Sequence, residues 1–376
     1  MVVGGGSWGT AFAALLRERE HEVTLACRDA AQAEAIDATC RNPKYLPHVD
    51  LAGVTARTID AAPVGGGSWG TAFARVLANR EHDVTLACRD AEHARAIAET
   101  SRNPRYLTHC DLRGVAATTI EEAPVADAEL VVVAVPSAVF GDVVRSLPGE
   151  APILSLTKGL DPGTGERLST LVQGRPVAVL SGPNIADEIA RDLPAAAVIA
   201  SEDEQLALDL QAAITSITFR VYVNDDVIGV ELCAAAKNVI GLAAGGADGL
   251  ALGDNAKAAL VARGLAEMSR LAVAAGGREE TFSGLAGMGD LVVTCWSPVG
   301  RNRRAGELIA QGVEPADAVR QIGMTVEGLT TAPVLRDLSH RLGIELPITN
   351  GVCAVLGGEP LHELVGNLMR RQPTTE

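Results

Sequence analysis

Only four of the 32 basic residues are lysine: Lys44, Lys158, Lys237 and Lys257. Arginine stays protonated in proteins, so a chain that otherwise writes arginine keeps lysine where a proton can move. Lys237 is the only charge in the thirteen residues from Leu232 to Ala244. Desolvation favours the neutral form of such a group and tunes it toward proton transfer, although a lysine can also snorkel out of a buried helix. In Gly287-Met-Gly-Asp-Leu-Val-Val-Thr-Cys295, Asp290 and Thr294 stand four residues apart, so Asp290 can cap a helix, orient a lysine, or do both. Gly300-Arg-Asn-Arg-Arg304 concentrates three arginines and an amide, which makes either a phosphate clamp or a solvated basic turn. Lys158 follows the apolar run that begins at Ile153, at the carboxyl end of an expected parallel strand, where open α/β sheets take ligands.

A second constellation is Gly65-x-Gly67-x-x-Gly70, which opens an Ala-rich stretch of helical character and is followed at βαβ distance by the extended Val84-Thr-Leu-Ala87. Glycines there permit a tight turn and close approach to a diphosphate, and the helix N-terminus supplies free N–H groups. At the end of the second strand, where a carboxylate would take the ribose hydroxyls of NAD, the chain reads Arg89-Asp90. Arg89 suits the 2′-phosphate of NADP, which favours NADPH, and Asp90 keeps NAD open.

The elements that must carry these groups are partly duplicated. Residues 3–64 align without gaps on residues 64–125, with 43 of 62 positions identical, including the glycine loops at Gly4 and Gly65 and the R-N-P-[KR]-Y-L runs at Arg41 and Arg102. Both first strands are damaged: Met1-Val2-Val3 is short, and Pro63 removes a ladder donor from Ile59–Val64. The second copy runs directly into the apolar segment from Glu129 to Pro136, so the cofactor is expected on its loop. Further strands are expected over 153–157, 177–180, 195–200 and 219–223, and Ala- and Leu-rich helical spacing takes over from about Asp226. The expectation is therefore an α/β fold: a duplicated unit over 1–61, a Rossmann-type, doubly wound, mostly parallel sheet over 62–225, and an all-helical substrate domain over 226–376.

A formal charge of −15 sets nucleic acid and anionic membranes far behind as partners. No apolar run approaches the ~20 residues of a membrane span, and the start lacks the pattern of a signal peptide, so the chain reads as cytoplasmic. Seven scattered cysteines without a C-x-x-C pair or histidine partners fit a reducing compartment, with no metal site.

Taken in order, G-G-G-S-W-G-T-A at Gly65, V-P-S at Val135, K-G at Lys158, S-G-P-N-I-A-D-E at Ser181, G-V-E-L-C-A-A-A-K-N at Gly229, D-G-L-A-L-G-D-N-A-K-A-A at Asp248, G-L-A-G-M-G-D-L-V-V-T-C at Gly284, R-N-R-R at Arg301 and V-E-G at Val326 resemble the bacterial-type NAD(P)-dependent glycerol-3-phosphate dehydrogenases. Departures are Gly66 where alanine is usual, Gly300 where serine often stands, and the duplication itself. The resemblance implies interconversion of dihydroxyacetone phosphate and sn-glycerol 3-phosphate for phospholipid synthesis, with Lys237 as general acid/base, and a homodimer. It places substrate on Lys158, Gly182, Asn184, Asp290, Arg301 and Asn302. It lines the cofactor with Ser68, Trp69, Arg89, Lys158, Ala186, Arg301, Thr325 and Glu327, beside the loop glycines Gly65, Gly67 and Gly70. Two rivals remain: a related hydroxy acid dehydrogenase, and a cofactor-binding protein disabled by the duplication.

Overall fold

The computed structural model describes residues 60–362 continuously, together with residues 2–3, 23–26, 30–41 and 54–57. The loop at Gly4, Cys27, Lys44 and the residues from 363 onward lie outside this set. In the first repeat, β1 (Val2–Val3), β2 (Val23–Ala26) and β3 (Val54–Arg57) form a parallel three-stranded sheet, with α1 (Ala30–Thr39) between β2 and β3 in the chain. The second repeat supplies β4 (Asp60–Val64), α2 (Ser68–Asn79), β5 (Asp83–Cys88), α3 (Ala91–Thr100) and β6 (Val115–Thr119). Its continuation adds β7 (Leu130–Val133), α4 (Ser137–Ser146), β8 (Ile153–Ser155), β9 (Val177–Ser181), α5 (Ala186–Ala190), β10 (Ala195–Ala200), α6 (Glu204–Ile214) and β11 (Phe219–Asn224).

These last eight strands form one sheet in the order β11-β10-β9-β8-β7-β4-β5-β6. Strand order reverses between β4 and β7, and such a switch point is where open α/β sheets bind ligands at the carboxyl ends of their strands. All pairs are parallel except β9 with β10. There the connection carries only the short α5 and turns back at the same end of the sheet instead of crossing its length.

Pro63 does sit in a central strand, at a visible cost. β4 pairs with β7 continuously from Ala61 to Val64, but with β5 only at Asp60, Ala61 and Val64. The ladder lapses on the side where proline has no N–H to give. β4 starts at Asp60, two residues before the boundary expected at 62. Of the 21 buried residues from Val64 to Val125, 18 recur in the first repeat, the exceptions being Val76, His93 and Cys110, matched by Leu15, Gln32 and Val49. Both copies thus meet nearly the same core requirement, and the direct run into β7 is what favours the second in the large sheet.

Asp226 opens the helical half. Its carboxylate caps α7 (Val227–Gly249) by accepting from Gly229 N at 2.8 Å, and it also accepts from Arg278 N at 2.9 Å and Thr281 Oγ1 at 2.6 Å. Then follow α8 (Gly253–Ala274), α9 (Glu280–Ser283), a π-helical turn (Leu285–Gly289), α10 (Asp290–Trp296), α11 (Arg301–Ala310), α12 (Pro315–Ile322), α13 (Glu327–Leu342) and α14 (Pro347–Leu356). Against expectation, α7 is long and apolar enough to cross a membrane, with 23 residues and a mean hydropathy of 1.6. Its apolar window is 89% buried, however, and α8, α10, α11 and α13 pack around it, so it is the core helix of this half.

Gly241, Gly245 and Gly249 recur every four residues along one face of α7. A Cβ on Gly245 would overlap the carbonyl oxygen of Arg303, one on Gly306 would overlap that of Leu242, and one on Gly249 would stand 2.6 Å from Glu307 O. The two helices therefore touch backbone to backbone, which fixes the start of α11, with Arg301 and Asn302, against α7. Gly245→Ala is expected to push α11 away and cost about 1–3 kcal/mol as overpacking does. Urea unfolding at unchanged m value measures this, and a midpoint equal to wild type refutes the seam.

Candidate active site

Lys237 projects from the middle of α7 and is buried. The π turn ahead of α10, a local widening often found at functional sites, aims Asp290 at the same point. Lys237 Nζ donates to Asp290 Oδ1 and to Thr294 Oγ1, both at 2.8 Å. From the sheet, Lys158, just beyond β8, donates to Asp290 Oδ2 at 2.6 Å and to Gly182 O at 3.0 Å. Ser181 Oγ, at the end of β9, stands 3.4 Å from Asp290 Oδ2.

One carboxylate is thus shared by two ammonium groups. Burial by itself pushes Asp290 upward, yet the charges of Lys158 and Lys237 together outweigh it and hold the carboxyl below its ordinary value. Lys158 receives only half of that bargain: burial above all, helped by the Lys237 charge and opposed by Asp290, brings it down to about 8. With both lysines charged the set carries one net positive charge in a poorly solvated place, which suits an oxyanion forming beside it.

Around this centre, Asn302 Nδ2 donates to Asn238 Oδ1 at 2.9 Å, and Asn302 Oδ1 accepts from Gly328 N at 2.9 Å. Arg301 stays exposed and donates to Thr325 O at 3.0 Å. Asp248 near the end of α7 accepts from Lys257 Nζ at 2.7 Å and from Arg303 Nε at 2.5 Å, so Lys257 serves the α7–α11 junction and does not touch the lysine pair. Asn184 Nδ2 donates to Ala196 O at 3.0 Å, leaving its buried Oδ1 without a protein partner among the described residues. Asn238 and Thr294 had no role in the sequence reading. Their signals were Asn238's place directly after Lys237 and Thr294's place one turn after Asp290.

The glycine loop passes a fit test for a dinucleotide. Gly65 has φ +121°, and a Cβ there would lie 2.5 Å from Ala134 O; one on Gly70 would overlap Gly65 O. A Cβ on Gly67 would meet nothing within 4 Å, and no side chain caps α2 there, so its first-turn N–H groups keep an open approach of the type that binds phosphate. Ser68 and Trp69 begin α2; Ser68 Oγ reaches Met324 Sδ at 3.9 Å, and the buried Trp69 Nε1 has no protein partner among the described residues. Ala186 opens α5, which packs on α2. Glu327 Oε2 accepts from Ser137 Oγ at 2.8 Å, joining the segment after Thr325 to the start of α4; burial raises Glu327, with Ser137 opposing. Asp90 is engaged as the N-cap of α3, accepting from Glu92 N at 3.0 Å and His93 N at 3.2 Å, and pairs with Arg105 at 2.6 Å. Arg89 beside it is exposed and has no partner among the described residues.

The family profile described as NAD-dependent glycerol-3-phosphate dehydrogenase C-terminus matches residues 226–365, and its N-terminal counterpart matches residues 1–62 and again 60–207. A glycerol-3-phosphate dehydrogenase (NAD(P)+) of Moorella thermoacetica is 44% identical over 324 residues, 84% of this chain and 97% of that one. One of Halorhodospira halophila is 42% identical over 324 residues, 84% and 98% of the two chains. The chain belongs to the NAD-dependent glycerol-3-phosphate dehydrogenase family. The crystal structure of glycerol-3-phosphate dehydrogenase from Coxiella burnetii superposes with a TM-score of 0.80 at 37% identity, covering 83% of this chain and 99% of that one. Family membership covers both halves of the sheet-plus-helix architecture, and the twofold match of the N-terminal profile falls on the duplication.

Asp290→Asn keeps the shape of the side chain and leaves two ammonium groups without their counter-charge. Removing one partner from a buried pair costs about 3–5 kcal/mol, so urea unfolding at pH 7 should show a loss of that order. A loss below about 1 kcal/mol would mean that the carboxylate does not hold the pair.

Proposed function

We propose that the chain reduces dihydroxyacetone phosphate to sn-glycerol 3-phosphate, and runs the reverse reaction, using the glycine loop of the second repeat for NAD(P)H. The observation that carries this reading is the buried proton donor Lys237 held by Asp290 beside a second ammonium, in a member of this family. When bound, the reduced nicotinamide supplies the hydride to the carbonyl carbon. Lys237 gives its proton to the carbonyl oxygen as the alkoxide develops, and Asp290 keeps that ammonium aimed. Lys158 adds the positive charge that favours the oxyanion. Arg301 and Asn302 hold the phosphate, and Asn184 Oδ1 and Gly182 offer polar contacts to the hydroxyl end. Ser68, Trp69, Ala186, Thr325 and Glu327 line the cofactor.

Arg89 free and Asp90 committed to a helix cap favour NADPH, because a guanidinium pairs with the 2′-phosphate while the carboxylate that would take ribose hydroxyls is occupied. The same reading makes the protein a cytoplasmic homodimer that supplies phospholipid synthesis, with small molecules as its ligands and neither nucleic acid nor membrane insertion.

Initial rates of NADPH oxidation with dihydroxyacetone phosphate test the reading in three chains: full length, one lacking residues 1–59, and Lys237→Ala. The first two are expected to turn over within about threefold of each other, with a lower KM for NADPH than for NADH. The variant is expected to lose about 10²–10⁴-fold in kcat, the usual worth of a positioned proton donor. If the shortened chain is inactive, the first repeat supplies the working loop; if full-length protein binds NADPH without turnover, the duplication has disabled the enzyme.

A further inference from the structure

The run Arg102-Asn-Pro-Arg-Tyr-Leu107, matched by Arg41-Asn-Pro-Lys-Tyr-Leu46 in the other repeat, has no part in the chemistry described so far. Its asparagine is fully buried directly beneath the glycine loop. Asn103 Nδ2 donates to Gly66 O at 2.9 Å and to Thr71 Oγ1 at 2.7 Å. Its Oδ1 accepts from Arg105 N and Tyr106 N, each at 3.0 Å, and contacts His93 Nε2 at 2.8 Å. The orientation of the amide has one solution: backbone N–H groups only donate and a backbone carbonyl only accepts, so the oxygen faces Arg105 and Tyr106 and the nitrogen faces Gly66. His93 Nε2 must then be the donor in its bond to Oδ1.

A trans peptide points its C=O and the following N–H in opposite directions. Tying Gly66 O inward therefore turns the N–H of Gly67 away from Asn103, at a residue where even an added Cβ would meet nothing within 4 Å. The loop has no slack below it, since a Cβ on Gly66 would lie 2.7 Å from Cys88 Sγ. The first repeat keeps the set as Gly5, Thr10 and Asn42, and replaces His93 with Gln32, whose amide can also donate.

We propose that Asn103 is a positioning residue for the diphosphate of the dinucleotide: it locks the Gly66–Gly67 peptide so that Gly67 N–H is presented to the ligand. This rests on the reading that the loop at Gly65 carries the cofactor. Asn103→Asp keeps the shape and sets an oxygen against Gly66 O, so the peptide turns and the donor withdraws.

The test uses the full chain and compares the Kd for NADPH with the KM for dihydroxyacetone phosphate at saturating NADPH. For Asn103→Asp the Kd is expected to rise at least tenfold while the substrate KM stays within twofold. Thr71→Val, which removes one of the two acceptors that hold the amide, is expected to raise the Kd about threefold, and it decides the question if Asn103→Asp does not fold. The neighbouring exposed Arg102→Ala should leave both constants unchanged. A folded Asn103→Asp that binds NADPH as wild type does overturns the proposal, as does equal weakening of cofactor and substrate, the mark of a merely structural role. Wild-type protein that fails to bind NADPH at all overturns the reading of the loop, and the proposal with it.

Discussion

Asp290 is a single buried carboxylate claimed by two ammonium groups that arrive from different halves of the chain, Lys158 from the sheet and Lys237 from the core helix. Neither contact is cheap to bury alone, and each is tolerable because the other supplies charge and hydrogen bonds to the remaining lone pairs. Two further carboxylates repeat the polarity. Glu231 on α7 accepts from Ser169 N at 2.8 Å and pairs with Arg167 at 2.9 Å, and Glu327 at the start of α13 accepts from Ser137. In all three junctions an acid of the helical half meets a donor of the sheet half, and at Asp290 Lys237 adds a second donor from the helical half itself. The junction is thus set by charge and hydrogen-bond geometry together with a small shared apolar cluster, in which Val179, Val198 and Ala200 of the sheet pack with Val227, Val230 and Ala286, beside the larger apolar cores.

Within the helical half, the glycine seam does for Arg301 and Asn302 what the ion pairs do for Lys158. Backbone contact between α7 and α11 leaves little freedom at the start of α11, and the Asp248 carboxylate ties Arg303 of α11 to Lys257 of α8. A phosphate held there would meet a preorganised surface, so little ordering is left to be done at binding.

The features most legible in the sequence were those dictated by purely local needs. Gly65 and Gly70 read as a cofactor loop because close backbone approach forbids a Cβ, and Lys237 stood out as a lone charge in an apolar helix. Lys158, Asp290 and Asn302 stood out by local pattern and took their substrate roles from motif resemblance, and the structure brings them to one region. What escaped depends on contacts distant in sequence. Asn103 lies 37 residues from the carbonyl it holds, and the motif that contains it looks like an ordinary turn. The choice between Arg89 and Asp90 was readable in principle, because an aspartate directly before a helix is a common N-cap. The apolar length of α7 was passed over in the sequence, and it reflects burial by neighbouring helices, which hydropathy cannot distinguish from burial in lipid. Because the buried residues of the two repeats are nearly identical, core composition could not separate them, and the expectation rested on the run of the second copy into what the structure shows as β7.

Two lysines sharing one carboxylate leave a positive excess that serves the oxyanion. The most direct measurement is the pH dependence of kcat/KM for dihydroxyacetone phosphate at saturating NADPH between pH 6 and 10. Lys158, lowered by burial to about 8, should lose its proton within that range and take the excess charge with it. A plateau is expected at low pH, with a fall to a lower level above an apparent pKa near 8. A flat profile to pH 10 would contradict this role of the excess charge.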